Sequence, residues 1–189
     1  MVTIIVFVVT LFLLLMFGVF FVTAIVKKYN IFGRPPVPVF YFVLAKILVL
    51  VNMAFLIMRG LNIKVNRIIG AEGITDIAGI VFLIPGTVIL FLTILRLRKD
   101  LVFGLSDSEE HKLQTNGVYS FSRHPFYLGF LFVLFASCLF SPHIVNIIAF
   151  AGAWLIHHFI MIKEEQFLLS KYGDEYKKYT ENVRRYINF

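Results

Sequence analysis

Apolar residues run without a charge for 25 positions from Val2 to Val26. At 1.5 Å of rise per residue, that is enough for a helix to cross the roughly 30 Å hydrocarbon core of a bilayer. No basic residue precedes the run and it is longer than the apolar region of a signal peptide, so it reads as a retained membrane helix. A second apolar run, from about Val39 to Met58, contains Lys46 and Asn52, and a third extends from about Ile77 to Leu95. The fourth, Pro125 to Phe140, is short for a crossing; Ser141-Pro142-His143 joins it to a fifth from about Ile144 to Ile162. So tight a connection between apolar helices predicts a hairpin.

Five helices of about 20 residues nearly exhaust the chain and leave no length for a separate soluble domain. The expected fold is all-α: a polytopic membrane protein with five transmembrane helices and a C-terminal cytosolic helical segment. Helices one to three occupy residues 1–100, and the chemistry-bearing region is residues 101–189. The fifth helix is expected to run past the membrane to Tyr172, with Gly173 as its C-cap. Asp174 to Tyr179 then begins a short amphipathic helix with its tyrosines at headgroup level. Residues seven apart share a helix face, so His157 stacks over Glu164 and His158 over Glu165.

Composition agrees. With 59% hydrophobic residues, 22 Phe and a mean hydropathy of +0.86, the chain has more apolar surface than a soluble domain of this size buries. The single cysteine, Cys138, lies in an apolar run and excludes a disulfide framework or a thiolate metal site. Basic residues set the orientation. With the N-terminus outside, fourteen Lys and Arg fall in cytoplasmic segments against three, Arg59, Lys64 and Arg67, in external ones. The formal charge of +7 belongs to residues bordering membrane segments, which suits an anionic leaflet and not nucleic acid. Lys46, about seven residues into its helix, is read as snorkelling to the cytoplasmic interface.

One polar island interrupts this pattern: His111-Lys112-Leu113-Gln114, then Gly117-Val-Tyr119-Ser-Phe-Ser-Arg123-His124-Pro125-Phe-Tyr127-Leu-Gly129, answered by Glu164-Glu165. Ionisable residues flanking membrane helices are a functional-site hypothesis by default. Pro125 suits the first position of the fourth helix, where its missing N–H costs nothing, and this makes His124 the cap. The free amides and helix dipole there favour an anionic group, with Arg123 and His124 as further donors. Gly129 lets another helix or a ligand approach the backbone. The same Arg and His would also suit a helix anchored at the headgroups, and the two Glu a solvated helix face. No companion carboxylate or cysteine beside His157 and His158 argues for a metal.

The string Gly-Val-Tyr-x-x-x-Arg-His-Pro-x-Tyr-x-Gly, followed by Glu-Glu-x-x-Leu-x-x-x-Tyr-Gly-Asp-Glu-Tyr, resembles the C-terminal half of the isoprenylcysteine carboxyl methyltransferases and related phospholipid methyltransferases. The likeness covers about Asp107 to Ile187. It implies a site for S-adenosyl-L-methionine at the cytosolic face and a hydrophobic or lipidated acceptor arriving from the bilayer. Carried over residue by residue, it implies cofactor contacts at His111, Leu113, Gln114, Tyr119, His124, Pro125, Tyr127 and Glu164. Arg123, Glu164 and His157 are the candidate catalytic residues. Such a site makes chemical sense: Glu164 can accept a ligand ammonium, the helix start a carboxylate, and Tyr119 and Tyr127 can face a sulfonium or adenine. The carboxyl methyltransferases place an arginine, implicated in acceptor binding, four residues before the acid matching Glu164. Here that residue is Ile160, which leaves Lys163 or His157 as substitutes and an amine or thiol acceptor open; His157 or His158 would then take a proton near neutral pH. Two other classes remain: a sterol-type membrane reductase using NADPH, whose C-terminal region has a similar Arg-His-Pro element, and a non-catalytic membrane protein or small transporter, although no internal repeat is visible.

Overall fold

The computed structural model describes residues 1–29, 31–68, 70, 72–97, 101–105 and 112–188. Among the described residues six α-helices follow one another: α1 (Val2–Val26), α2 (Val39–Gly60), α3 (Glu72–Leu97), α4 (Pro125–Phe140), α5 (Ile144–Tyr172) and α6 (Asp174–Asn182). A 3-10 turn at Gly117–Ser120 precedes α4. Four of the helices, α1, α2, α3 and α5, are long and apolar enough to cross a membrane, and α4 is the shorter apolar helix of the expected hairpin. The all-helical, multi-pass architecture read from the sequence is the one observed. The main difference is α3, which begins five residues before the apolar run because its first turn is polar, Glu72-Gly-Ile-Thr-Asp76.

Each helix buries one stripe and leaves the rest to lipid. In α1 the buried positions are Val6, Thr10, Leu13, Phe20 and Ala24, spaced as one helical face. Ile4, Val8, Leu15 and Val22 of the same helix are exposed. Apolar side chains on both faces belong to a lipid-solvated bundle, because water would not tolerate the outer set. Inside, Val6, Leu13, Leu56, Leu83, Leu90, Val133, Ala136 and Phe140 form the main core across α1 to α4.

Helices α3 and α4 touch through backbone. A Cβ on Gly86 would lie 2.9 Å from the Gly129 carbonyl oxygen, and one on Gly129 would lie 3.0 Å from that of Gly86. The close approach expected at Gly129 is therefore made by another helix, by the small-residue packing common between membrane helices. Gly86→Ala is expected to lose about 1–3 kcal/mol, the cost of overpacking a tight contact. Gly18→Ala, in open space on α1, is the control; its thermal midpoint in detergent should hold or rise through better helix propensity.

Polar ties explain the polar residues inside apolar runs. At the end holding the N-terminus, Arg59 donates to Asp76 Oδ2 at 2.7 Å and to Thr3 at 2.8 Å. Arg67 donates to Thr75 and to the Phe140 carbonyl. At mid-bundle Asn146 Nδ2 donates to the Ser137 and Ser141 carbonyls, and Ser137 Oγ to the Asn52 carbonyl, locking α2, α4 and α5 together. At the opposite end residues 31–34 pair with 101–105 through isolated bridges, Phe32 with Phe103 and Arg34 with Leu105. Gly104, at φ +107, turns the segment so that a Cβ would sit 2.6 Å from the Arg34 carbonyl oxygen. That pairing carries 101–105 over the polar end of the bundle.

Candidate functional site

The polar island closes on itself at the start of α4. Pro125 is the first residue of the helix and His124 its N-cap, as the sequence implies, but the His124 side chain makes no capping bond. Instead its backbone N–H donates to Ser122 Oγ at 3.1 Å, which frees the imidazole to turn toward α5. There Nε2 donates to Glu165 Oε1 at 3.1 Å, and Nδ1 lies 3.8 Å from Glu164 Oε2. The carboxylates drawn to this helix start are thus the chain's own, and they supply the negative charge its dipole favours.

Two stripes run down α5, as the seven-residue spacing predicts, and each finds a different partner. Glu164 accepts the Tyr127 hydroxyl at 2.6 Å, and the Tyr127 ring in turn lies 5.6 Å from that of His157. This first stripe faces α4. Glu165 and His158 face the C-terminal tail. Arg185 grips Glu165 with two bonds, Nε to Oε1 at 2.9 Å and Nη2 to Oε2 at 2.8 Å, and Arg123 adds Nη1 at 3.5 Å. His158 Nδ1 lies 2.7 Å from the Tyr186 hydroxyl, with the two rings stacked at 10°. Backbone bonds from Arg123 N–H to the Arg184 carbonyl and from Asn188 N–H to the Phe121 carbonyl hold the tail against the loop before α4. The Glu165 bonds raise the Arg185 pKa above its usual value.

Above Glu164 opens a cavity of about 200 Å³. Leu113, Gln114, Tyr119, Arg123 and Glu164 line it, so five of the residues singled out in the sequence meet on one surface. Leu101, Val102, Gly104 and Leu105 and the rings of Phe167, Tyr172, Tyr176 and Tyr179 also line it. Tyr179 donates to the Tyr119 carbonyl at 2.6 Å, which ties α6 to the 3-10 turn. Burial pushes the Tyr119 and Tyr179 phenols above their usual range and the Tyr176 phenol up to about 12, so all three are neutral donors at physiological pH.

His124, Pro125 and Tyr127 do not line this cavity. His124 and Pro125 are buried. Tyr127 lines a second, smaller groove of about 20 Å³ between α4 and α5, together with Phe130, Leu134, Trp154, His157 and Tyr186. Glu164 is where the two spaces meet, since it lines the first and bonds a wall of the second. His111 lies outside the described residues. Among the described residues no three His, Cys, Asp or Glu side chains gather as metal ligands.

Ile160 is fully buried in packing. Of the two substitutes considered for the arginine expected there, Lys163 is exposed and donates to Gln166. His157 donates from Nδ1 to the Ala153 carbonyl at 2.7 Å, leaving Nε2 as its free nitrogen. Lys46, read as a snorkelling residue, reaches toward the end of the bundle where residues 101–105 lie. Its ammonium sits 4.8 Å from the Phe42 ring and 5.8 Å from that of Phe103, and its charge acts on Glu164 and His157. Sequence reasoning missed the parts played by Arg185 and Tyr186. Only the adjacency of Arg184, Arg185 and Tyr186 hinted at them, in a segment without helical periodicity.

A family model described as phospholipid methyltransferase matches residues 74–175. Among curated proteins, the chain is 31% identical over 114 residues to a probable protein-S-isoprenylcysteine O-methyltransferase of Oryza sativa subsp. indica, covering 59% of this chain and 60% of that one. It is 30% identical over 77 residues to the protein-S-isoprenylcysteine O-methyltransferase of Schizosaccharomyces pombe, covering 40% and 33%. It is also 30% identical over 113 residues to methanethiol S-methyltransferase 1 of Bradyrhizobium diazoefficiens, covering 54% and 38%. The matches span between one third and three fifths of the length of these relatives.

Proposed function

The chain belongs to the phospholipid methyltransferase family, and on that premise we propose that residues 101–189 form an S-adenosyl-L-methionine site at the cytoplasmic end of the bundle. The cavity is chemically suited to it. Glu164 supplies a carboxylate for an ammonium, Arg123 and Gln114 supply donors for a carboxylate, and Tyr119 with its neighbouring rings supplies faces for a sulfonium or adenine. The bound cofactor brings the reactive methyl group, and the protein's part is to align, desolvate and hold. His124 is then a positioning residue that fixes the two carboxylates, and the tail holds the far side through Arg185.

The observation that carries this reading is the place of Glu164 between the two spaces. A ligand held at Glu164 in the cavity is one tyrosine away from the apolar groove between α4 and α5. An acceptor sliding in from the bilayer along that groove meets the methyl group without crossing water, which keeps hydrolysis out. Named relatives act on an isoprenylcysteine and on methanethiol, so the acceptor here is taken to be a hydrophobic carboxylate, thiol or lipid amine. The test is radiolabelled methyl transfer in detergent to a farnesylated cysteine analogue, an alkyl thiol and phosphatidylethanolamine, run in parallel. Label should appear in at least one of these products. Absence of transfer to all three, from protein that binds the cofactor, would contradict acceptor access from the bilayer.

A further inference from the structure

We infer that Tyr186 sets the size of the acceptor that reaches the methyl group: its ring closes the groove between α4 and α5 and swings aside for an apolar chain. The inference rests on the methyltransferase reading above and deepens it, by naming the residue that controls access along the acceptor path. Among the described residues, every other side chain lining that groove belongs to α4 or α5. Tyr186 arrives from elsewhere, carried in by the C-terminal tail.

The tail is fastened on both sides of Tyr186. Before it, the Arg184 carbonyl accepts the Arg123 N–H at 3.0 Å and Arg185 holds Glu165 with two bonds; after it, the Asn188 N–H donates to the Phe121 carbonyl at 3.0 Å. The ring itself lies nearly parallel to that of His158, at 10° and 6.0 Å between centroids, with its hydroxyl 2.7 Å from Nδ1. His158 in turn packs 6.1 Å from the Trp154 ring. Because His158 is six residues before Glu164 on α5, about 9 Å along the helix at 1.5 Å per residue, an irregular tail places a phenol well inside the apolar part of the bundle. A hydroxyl at that depth needs a partner, and His158 provides it.

The groove is too small for what it has to pass. Its volume of about 20 Å³ takes one water-sized group, since a single water needs about 10–15 Å³. A longer apolar chain enters only if a wall moves. The helical walls are fixed: Leu134, Ala153 and Met161 are buried in the bundle, and α4 is pressed against α3 at Gly86 and Gly129. Tyr186 is half-buried and its ring rests on α5 through His158, while the ties at 184, 185 and 188 do not depend on where that ring points. A side-chain rotation therefore opens the groove and leaves in place the cavity wall to which Tyr176 and Tyr179 belong. The bulk that an acceptor can bring is then set by how far one ring moves.

The experiment measures how fast a cysteine placed in the groove is alkylated. Leu134→Cys, in a Cys138→Ala background of the full chain in detergent, is treated with N-ethylmaleimide and with the much bulkier N-(1-pyrenyl)maleimide; Gly18→Cys, in open space on α1, calibrates each reagent. Adding Tyr186→Ala should speed the bulky reagent at least about tenfold and the small one by no more than about threefold, because a lifted wall discriminates by size where local unfolding would admit both alike. Tyr186→Phe, which keeps the ring, should keep the wild-type discrimination between the reagents. Dodecanol, an uncharged probe of the chain alone, should slow labelling in Tyr186→Ala. An unchanged bulky rate in Tyr186→Ala, an equal gain for both reagents, lost discrimination in Tyr186→Phe, or no protection by dodecanol overturns the proposal. S-adenosylhomocysteine is titrated into the same preparations. Failure of the wild type to bind it would sink the methyltransferase reading, whereas retained binding in Tyr186→Ala alongside faster bulky labelling supports control of the groove by Tyr186.

Discussion

Glu165→Ala is expected to destabilise the protein by about 3 kcal/mol, the lower end of the range for breaking a buried ion pair from one side. The lower end applies because Arg185 keeps 29% of its side-chain surface exposed. Glu165 gathers Arg185, Arg123 and His124, which come from the tail, the loop and the start of α4. Removing the carboxylate leaves two guanidinium groups with no anion between them, only partly screened by water. The tail is held by backbone bonds at Arg184 and Asn188 and by Tyr186 on His158, so it should loosen without leaving entirely. Thermal unfolding in detergent measures the loss. A midpoint equal to that of wild type would mean that the cluster contributes nothing net.

Glu164→Ala is expected to act differently, on ligand affinity. Its carboxylate reaches the cavity, and among the described residues it accepts a hydrogen bond from the Tyr127 hydroxyl and lies 3.8 Å from the His124 ring nitrogen. Losing a charge-assisted hydrogen bond to a ligand ammonium costs about 1.5–3 kcal/mol, or roughly 10- to 150-fold in affinity for S-adenosylhomocysteine. Glu164→Gln should retain part of the Tyr127 bond and still lose the charge, so its affinity should fall nearly as far while its thermal midpoint stays near wild type. Together the two adjacent glutamates separate a ligand-holding role from a structural one. If Glu164→Ala binds as well as wild type, Glu164 is not part of the ligand site.

Apolar runs of 16 to 25 residues made the membrane helices legible, because a helix facing lipid must be apolar almost everywhere. Where a helix leaves the apolar region the signal weakens. The start of α3 at Glu72 and the end of α6 at Asn182 extend beyond what hydropathy indicated. The site was legible where its residues share a helix face or a tight turn, as with Glu164 over His157 and Tyr127 one turn into α4. It was not legible where distant segments meet. Arg185 reaches Glu165 across 20 residues of chain through a non-periodic tail, and Phe103 reaches Lys46 through a bridge between two loops. Nothing in local sequence encodes either encounter.

The central claim is that the cavity above Glu164 holds the adenosyl-methionine group of the methyl donor. Titration of the wild-type protein in detergent with S-adenosylhomocysteine, and separately with NADPH, tests it most directly, because one cavity serves both trials and the two ligands belong to different chemistries. Saturable binding of S-adenosylhomocysteine with no response to NADPH is the predicted result; binding of NADPH with none of S-adenosylhomocysteine would contradict it.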